Sequence, residues 1–457
     1  MEAEEPVTPV GRFFVQEEIN QVINCVMGLK NPINIESIKA EIRNSIMIQH
    51  PRFQSVLVRN KNGREYWERT QKVNLDNHIF LIQDVNDICT DDDDEIVNKY
   101  VSDLTVSSPL SADKPLWELH ILKDQNVLVW RIHHALGDGV SLMSLILAMC
   151  RKVDEPGELP TVPKPVIKNN NRSRRENIWE LVMRIWLSFV YTMELFLRCF
   201  CSKRDGKTKI SGGSGVEFWP RKLATAKFKL DDMKAVKNAV PNATTNDVLF
   251  GVISAGLSRY LDYHQPSNSK GLRITGLGMV NLRKQPGLQD MSELVKNKPL
   301  SSWWGNKFGF ILLPVYHDEN VDNDPLQYVK RAKEMLDKKK LSLEAHIAYA
   351  IGNFVMSFLG PKVAMWLNNR VVCSTSFTIS NVVGPQEEIM FGGNPITSFR
   401  VTSTSLSHAL TMHMVSYAGK AEMQILVAKD IIPDPQFLAK CFEDALLEMK
   451  DVSKDCI

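Results

Sequence analysis

Two adjacent histidines, with an aspartate four residues after the second, are the side chains here whose types and spacing could do chemistry. They lie in Trp130-Arg131-Ile132-His133-His134-Ala135-Leu136-Gly137-Asp138-Gly139. A neutral imidazole, with an ordinary pKa of about 6.5, can take a proton from a hydroxyl at physiological pH and return it to a leaving group. An aspartate flanked by glycines on a turn can lock the local backbone or pair with an arginine, and so hold an imidazole in place. At ordinary residue frequencies HHxxxDG arises by chance in roughly one chain of this length in a thousand. Coincidence is a weak explanation.

The surrounding residues say how the motif is presented. Val127–His134 alternates as a strand does, Gly137 and Gly139 bracket a turn, and from Val140 the pattern is helical. Leu128, Trp130, Ile132 and His134 then point one way, and Val127, Val129, Arg131 and His133 the other. Only one of the two histidines can face a given cavity. Helical patterns are also expected near 34–48, 92–105, 140–152, 231–239, 245–262, 325–340 and 433–450. Strands are expected near 53–59, 116–122, 273–280, 308–315, 373–380, 396–403, 409–417 and 421–428. Thr244 and Thr245 are candidate N-caps for the helix near 245, with Asp247 in its first turn. The acidic run 91–95 reads as a solvated helix N-terminus favoured by the macrodipole, not a metal site. Strands and helices are thus mixed throughout, an α/β (α+β) chain.

The 457 residues permit two large domains. With 55 Lys+Arg against 53 Asp+Glu the net charge is +2, without the basic excess of a nucleic-acid binder. Hydrophobic residues at 44% and charged residues at 24% exclude wholesale disorder. The eight cysteines are scattered and form no CxxC pair, so neither a zinc site nor a disulfide framework is expected, and a reducing compartment is. The acidic N-terminus lacks an apolar core, and no secretory signal is expected.

Residues 177–201 depart from this soluble picture. The segment is apolar enough to span a bilayer on length alone, yet Glu180, Arg184, Glu194 and Arg198 fall on one narrow helical stripe, with Trp179, Trp186, Phe189, Phe196 and Leu197 on the wide remainder. Basic residues flank both ends: Lys164, Lys168, Arg172, Arg174 and Arg175 before it, Lys203, Arg204, Lys207 and Lys209 after it. A single span should show a one-sided bias of Lys and Arg. We read an amphipathic helix lying in a membrane interface; a true span and a helix buried in the protein are the alternatives. Pro-, Asn- and Gly-rich stretches on both sides make 156–215 a basic linker carrying this helix, between an N-terminal domain of 1–155 and a C-terminal domain of 216–457.

HHALGDG resembles the HHxxxDG signature of the wax ester synthase/diacylglycerol acyltransferase family, among the CoA-dependent acyltransferases that include chloramphenicol acetyltransferase. Pro115-Leu116-Trp117-Glu118-Leu119-His120 resembles the family's PLW element and Asn246-Asp247 its ND pair. Trp304-Gly305-Asn306 with Leu313-Pro314, and Asn381-Val382-Val383-Gly384-Pro385, resemble two further stretches. The blocks follow the family's order over about residues 110–390 and look closest to the plant branch. The DFGWG element of soluble plant alcohol acyltransferases is missing, which argues against small phenolic or terpenoid acceptors.

The resemblance implies two chloramphenicol-acetyltransferase-like domains with the active site in the cleft between them. It implies acyl transfer from acyl-CoA to a long-chain alcohol or diacylglycerol, with acyl-CoA as substrate and no metal or other cofactor. His134 matches the catalytic position, while Asp138 and Gly139 look structural. His133 is expected to support, and Asn246, next to Asp247, either to donate to substrate or to brace the histidine loop. Trp117 and 381–385 read as scaffold first, and His120, His408 and His413 as ordinary histidines. The cytosolic face of the endoplasmic reticulum, or the plasma membrane, is the expected location. Two other readings use the same residues: an inactive membrane-associated lipid-binding or regulatory protein, and a soluble acyltransferase for small alcohols.

Overall fold

The computed structural model describes residues 5–83, 92–161, 178–201, 204–265, 273–284, 288, 303–316 and 324–454. Eight strands precede the long helix: β1 (Glu5–Pro6), β2 (Val22–Leu29), β3 (Ser55–Arg59), β4 (Glu65–Arg69), β5 (Ile79–Ile82), β6 (Trp117–Leu122), β7 (Val127–His133) and β8 (Arg151–Lys152). Eight follow it: β9 (Arg221–Lys229), β10 (Arg273–Asn281), β11 (Phe308–Tyr316), β12 (Phe377–Val383), β13 (Ile389–Phe391), β14 (Asn394–Ser403), β15 (Leu410–Tyr417) and β16 (Lys420–Ala428). They form a seven-stranded sheet, β5-β6-β7-β2-β14-β13-β8, a six-stranded sheet, β11-β10-β12-β15-β16-β9, and a small sheet, β1-β4-β3.

Alternation in β7 is borne out. Leu128, Trp130 and Ile132 enter the main N-terminal core, whereas Val127 and Val129 enter a separate cluster with Val97, Leu223 and Leu426 on the other face. A second core lies between the six-stranded sheet and the helices Thr245–His264 and Pro435–Ser453, with Phe442 and Ile253 fully buried in it. The acidic run does start a helix, Asp93–Ser107, capped by Asp92. Asp94 does more than face solvent: it meets Lys227 at 2.5 Å and Arg400 at 2.9 Å.

The chain does not divide cleanly at the linker. β13 and β14, within the span 216–457, pair into the N-terminal sheet, Thr402 standing opposite Asn24 of β2. The reason is an open edge: β2 pairs with β7 on one side only, and β14 covers the other. The stretch after the long helix, expected as part of the basic linker, is packed where it is described. Ile210 is fully buried, and Asp205 accepts from Thr275 and Ser376. Residues 162–177 lie outside the described residues.

The apolar segment forms the helix Ile178–Phe200; the C-terminal half of its charged stripe, Glu194 and Arg198, turns inward, while Glu180 in the first turn is exposed. Arg198 is buried, donating to Asp205, to Thr275 Oγ1 and to the Ser374 carbonyl, while Glu194 accepts from Arg273 at 2.6 Å. Trp179 is 75% and Trp186 57% exposed. The helix is therefore not buried in the protein; it shows water its apolar side. Among the described residues no helix is long and apolar enough to cross a membrane.

Candidate active site

β7 ends at His133, and His134 is the first residue beyond it. Its backbone N–H donates to the Gln21 carbonyl at 2.7 Å, which fixes the chain as it leaves the sheet. Four residues on, Asp138 caps the helix Gly139–Met149, accepting from Ser141 N–H at 3.0 Å. The two glycines serve close approach. A Cβ on Gly137 would stand 3.3 Å from the Trp304 ring, and one on Gly139 3.0 Å from Val382 Cγ2 of β12, on the facing sheet.

His134 is half-buried. Its Nδ1 lies 3.0 Å from Asn306 Oδ1, and Asn306 Nδ2 donates to the His134 carbonyl at 2.8 Å. The second bond fixes which end of the amide is which. Oδ1 can only accept, so Nδ1 carries the imidazole hydrogen and the Nε2 lone pair is left to act as a base. Phe14 stacks on the ring at 4.2 Å between centroids, and Phe308 stands 5.7 Å away. Burial lowers the His134 pKa below its ordinary value, partly opposed by the negative charge of Asp138 and the Asn306 hydrogen bond. The imidazole is neutral at pH 7.

His133 takes the opposite tautomer. Its Nδ1 accepts from Ala135 N–H at 3.1 Å, so Nε2–H donates to Asn20 Oδ1 at 3.3 Å. Burial, and then the neighbouring His134, push its pKa down to about 3. It closes the turn. A small open recess lies on this side, with Asn20, Ser108 and Thr404 in its walls.

Asp138 does not touch His134 through a hydrogen bond. Its carboxylate takes two bonds from Arg283, Nη1 to Oδ2 at 2.8 Å and Nη2 to Oδ1 at 3.0 Å, and a third from Lys307 N–H at 2.9 Å. The guanidinium spends its other donors on Asn281, Ser141 Oγ and the carbonyls of Trp303 and Gly305. Trp304 Nε1–H donates to the Leu136 carbonyl at 2.7 Å. The histidine loop is thus bolted to the residues that join β10 to β11.

Asn246 stands apart from this centre. It is exposed, and its Oδ1 accepts from Asn381 Nδ2 at 2.9 Å, beside the Val382 that touches the Gly139 position. Asp247 is fully buried in a capping box with Thr244, accepting from its N–H at 2.6 Å, and it meets Lys340 at 3.5 Å. Trp117 is buried, with its Nε1–H on the Phe53 carbonyl. His120 pairs with Glu118 and Tyr100, and His408 is held between Thr375 and Thr378. His413 is set apart from these two: it reaches Ser403 at 3.4 Å, and burial and the nearby His134 take its pKa to about 4. Arg283, Asn306 and Phe14 received no role from sequence. Asn306 stood in one of the resembling blocks, but nothing there tied it to an imidazole 172 residues away.

Among the described residues no cluster of His, Cys, Asp and Glu is grouped to hold a metal ion. Solved structures share this two-sheet fold. The wax ester synthase/diacylglycerol acyltransferase from Marinobacter aquaeolei VT8 matches with a TM-score of 0.61 at 18% identity, over 98% of this chain and 100% of its own. A trichothecene 15-O-acetyltransferase from Fusarium sporotrichioides matches with a TM-score of 0.61 at 11% identity, over 97% and 94%. The sequence narrows this further. The family model of the wax ester synthase/diacylglycerol acyltransferase catalytic domain matches residues 34–209, and that of the WS/DGAT C-terminal domain residues 304–450. Wax ester synthase/diacylglycerol acyltransferase 5 of Arabidopsis thaliana is 36% identical over 99% of this chain and 95% of its own length, and number 11 of the same plant 35% identical over 98% and 95%. The chain belongs to the wax ester synthase/diacylglycerol acyltransferase family, and it is an acyltransferase.

Proposed function

We propose that the enzyme moves a fatty acyl group from acyl-CoA to the hydroxyl of a long-chain alcohol or of diacylglycerol, giving a wax ester or triacylglycerol. His134 Nε2 takes the hydroxyl proton as the oxygen attacks the thioester carbonyl. The tetrahedral intermediate then expels the CoA thiolate, which takes the proton back from Nε2. No bond to the protein forms at any step. The thioester is already activated, so this chemistry asks for acyl-CoA as substrate and for no metal or other cofactor.

The observation that carries the reading is the Asn306–His134 pair, which sets the tautomer and leaves Nε2 as the base. Asp138 and Gly139 hold the loop, His133 closes its turn, and Asn246, bonded to Asn381, makes no bond to the histidine loop. The exposed apolar side of Ile178–Phe200 supports a place on a bilayer surface, where long acceptors are dissolved, and we assign the cytosolic face of the endoplasmic reticulum or plasma membrane. The test is purified protein with palmitoyl-CoA and either hexadecanol or diacylglycerol. Ester product that disappears in His134→Ala supports the assignment; a folded, inactive wild type sinks it and favours the lipid-binding scaffold.

A further inference from the structure

The apolar surface of Ile178–Phe200 continues beyond that helix. Phe200 lies 5.8 Å, centroid to centroid, from Trp366 of the helix Pro361–Val372. This second helix is reached through the π-turn Val355–Leu359 and Gly360, whose φ of 82° is a conformation a glycine adopts freely. Along this stretch Phe354 is 56%, Phe358 75% and Trp366 49% exposed, and Leu359 stands outward with them. Phe354 and Phe358 face each other at 4.9 Å. Two stretches far apart in sequence thus give one aromatic surface.

Cations lie beside it, and Glu180, in the first turn of Ile178–Phe200, is the exposed carboxylate on that helix. Residues 354–366 carry Lys362 and no carboxylate, and Arg204, Lys207 and Lys209 are exposed just past the first helix. A wide apolar face with tryptophans on it and cations beside it matches the interface of an anionic bilayer. The inner side of the same turn leads to the active site. Val355, Met356 and Ala364 are buried against Phe13, Phe13 lies 5.6 Å from Phe14, and Phe14 stacks on His134.

We propose that Phe354–Trp366 is the second half of a docking face for an anionic phospholipid bilayer, the first half being the outer side of Ile178–Phe200. An apolar substrate leaving the bilayer reaches His134 along Phe13 and Phe14. The docking stands independently of the catalytic reading, and the route rests on it. The experiment is flotation of the full chain with phosphatidylcholine/phosphatidylserine vesicles, comparing wild type with the double variant Phe358→Glu, Trp366→Glu. Both side chains are exposed, so melting should be unchanged. The variant should bind at least tenfold more weakly, and turnover of diacylglycerol held in those vesicles should fall by a similar factor. Turnover of a short alcohol dissolved in water should stay within twofold. Phe13→Ala should leave vesicle binding intact and slow the vesicle-held acceptor alone. Unchanged vesicle binding in the double variant overturns the proposal, as does sedimentation showing that the face instead joins two copies of the chain. If wild type turns over neither acceptor while the variant still loses vesicle binding, docking holds and the route is discarded with the enzymatic reading.

Discussion

Asp138 and Arg283, 145 residues apart, form a buried two-point ion pair that ties the cap of the histidine loop's helix to the end of β10. Every donor of the guanidinium is used, and its Cζ lies 4.8 Å from the Trp303 ring centroid. Such a pair is costly to break from one side, because the partner is left charged, buried and unanswered.

Asp138→Ala should therefore destabilise the protein by about 3–5 kcal/mol, the usual result of stranding a buried charge, with the lost helix cap included in the effect. Arg283→Met should do comparable damage. The double variant Asp138→Ala, Arg283→Met should recover part of the loss, since neither charge is then stranded. Thermal melting reads all three, and strictly additive losses would show that the two residues are not acting as a pair.

His134→Ala should lower turnover by roughly 10²–10⁴-fold, the usual share of a general base. His133→Ala should retain measurable turnover and melt lower, because its Nδ1 holds the Ala135 N–H and its ring fills a buried site. Equal, complete loss in both variants, with both folded, would contradict the division of labour between the two faces of β7.

The pH profile follows from the His134 environment. Its pKa lies below 6.5, mainly through burial, so initial rates should climb with pH to a midpoint below 6.5 and be flat at neutrality. Asp138→Asn removes a charge that holds the imidazolium, so the midpoint should move to lower pH. Asn306→Asp places a carboxylate against Nδ1 and should move it higher. Asn306→Ala should cost roughly 10–100-fold in rate, as the loss of an orienting partner typically does. A midpoint above pH 7 in wild type would contradict the burial argument.

Stability should fall in acid for a related reason. His50, His133 and His408 are buried with pKa values of about 3, against 6.5 in the unfolded chain. Between these values the unfolded chain binds protons that the folded chain refuses. Stability is thus complete above pH 6.5 and declines as pH drops towards 3, by about 1.4 kcal/mol per pH unit for each histidine well inside that window. Melting temperatures from pH 7 to 4 measure it, and His408→Gln should flatten the slope.

The histidine motif and the order of its strand, turn and helix were legible in the sequence because they are local. Period-two alternation carries His133 and His134 to opposite faces whatever the rest of the chain does, and an aspartate between glycines before an apolar run is a helix cap. β2 left no such trace: all eight residues of Val22–Leu29 are buried, so nothing alternates. The helices Glu344–Phe354 and Pro361–Val372 were missed because a π-turn and Gly360 interrupt their period. The charge stripe of Ile178–Phe200 was visible as a stripe, and its direction was not, since only Thr275, Ser374 and Asp205 give Arg198 a reason to turn inward. The same holds for the site. Residue type and spacing alone determined that His134 could serve as a base. That Nε2 is the basic atom, that Asp138 answers to Arg283, and that Phe14 covers the ring were decided by tertiary structure, because each depends on a partner more than a hundred residues away that only folding brings within hydrogen-bond or stacking distance.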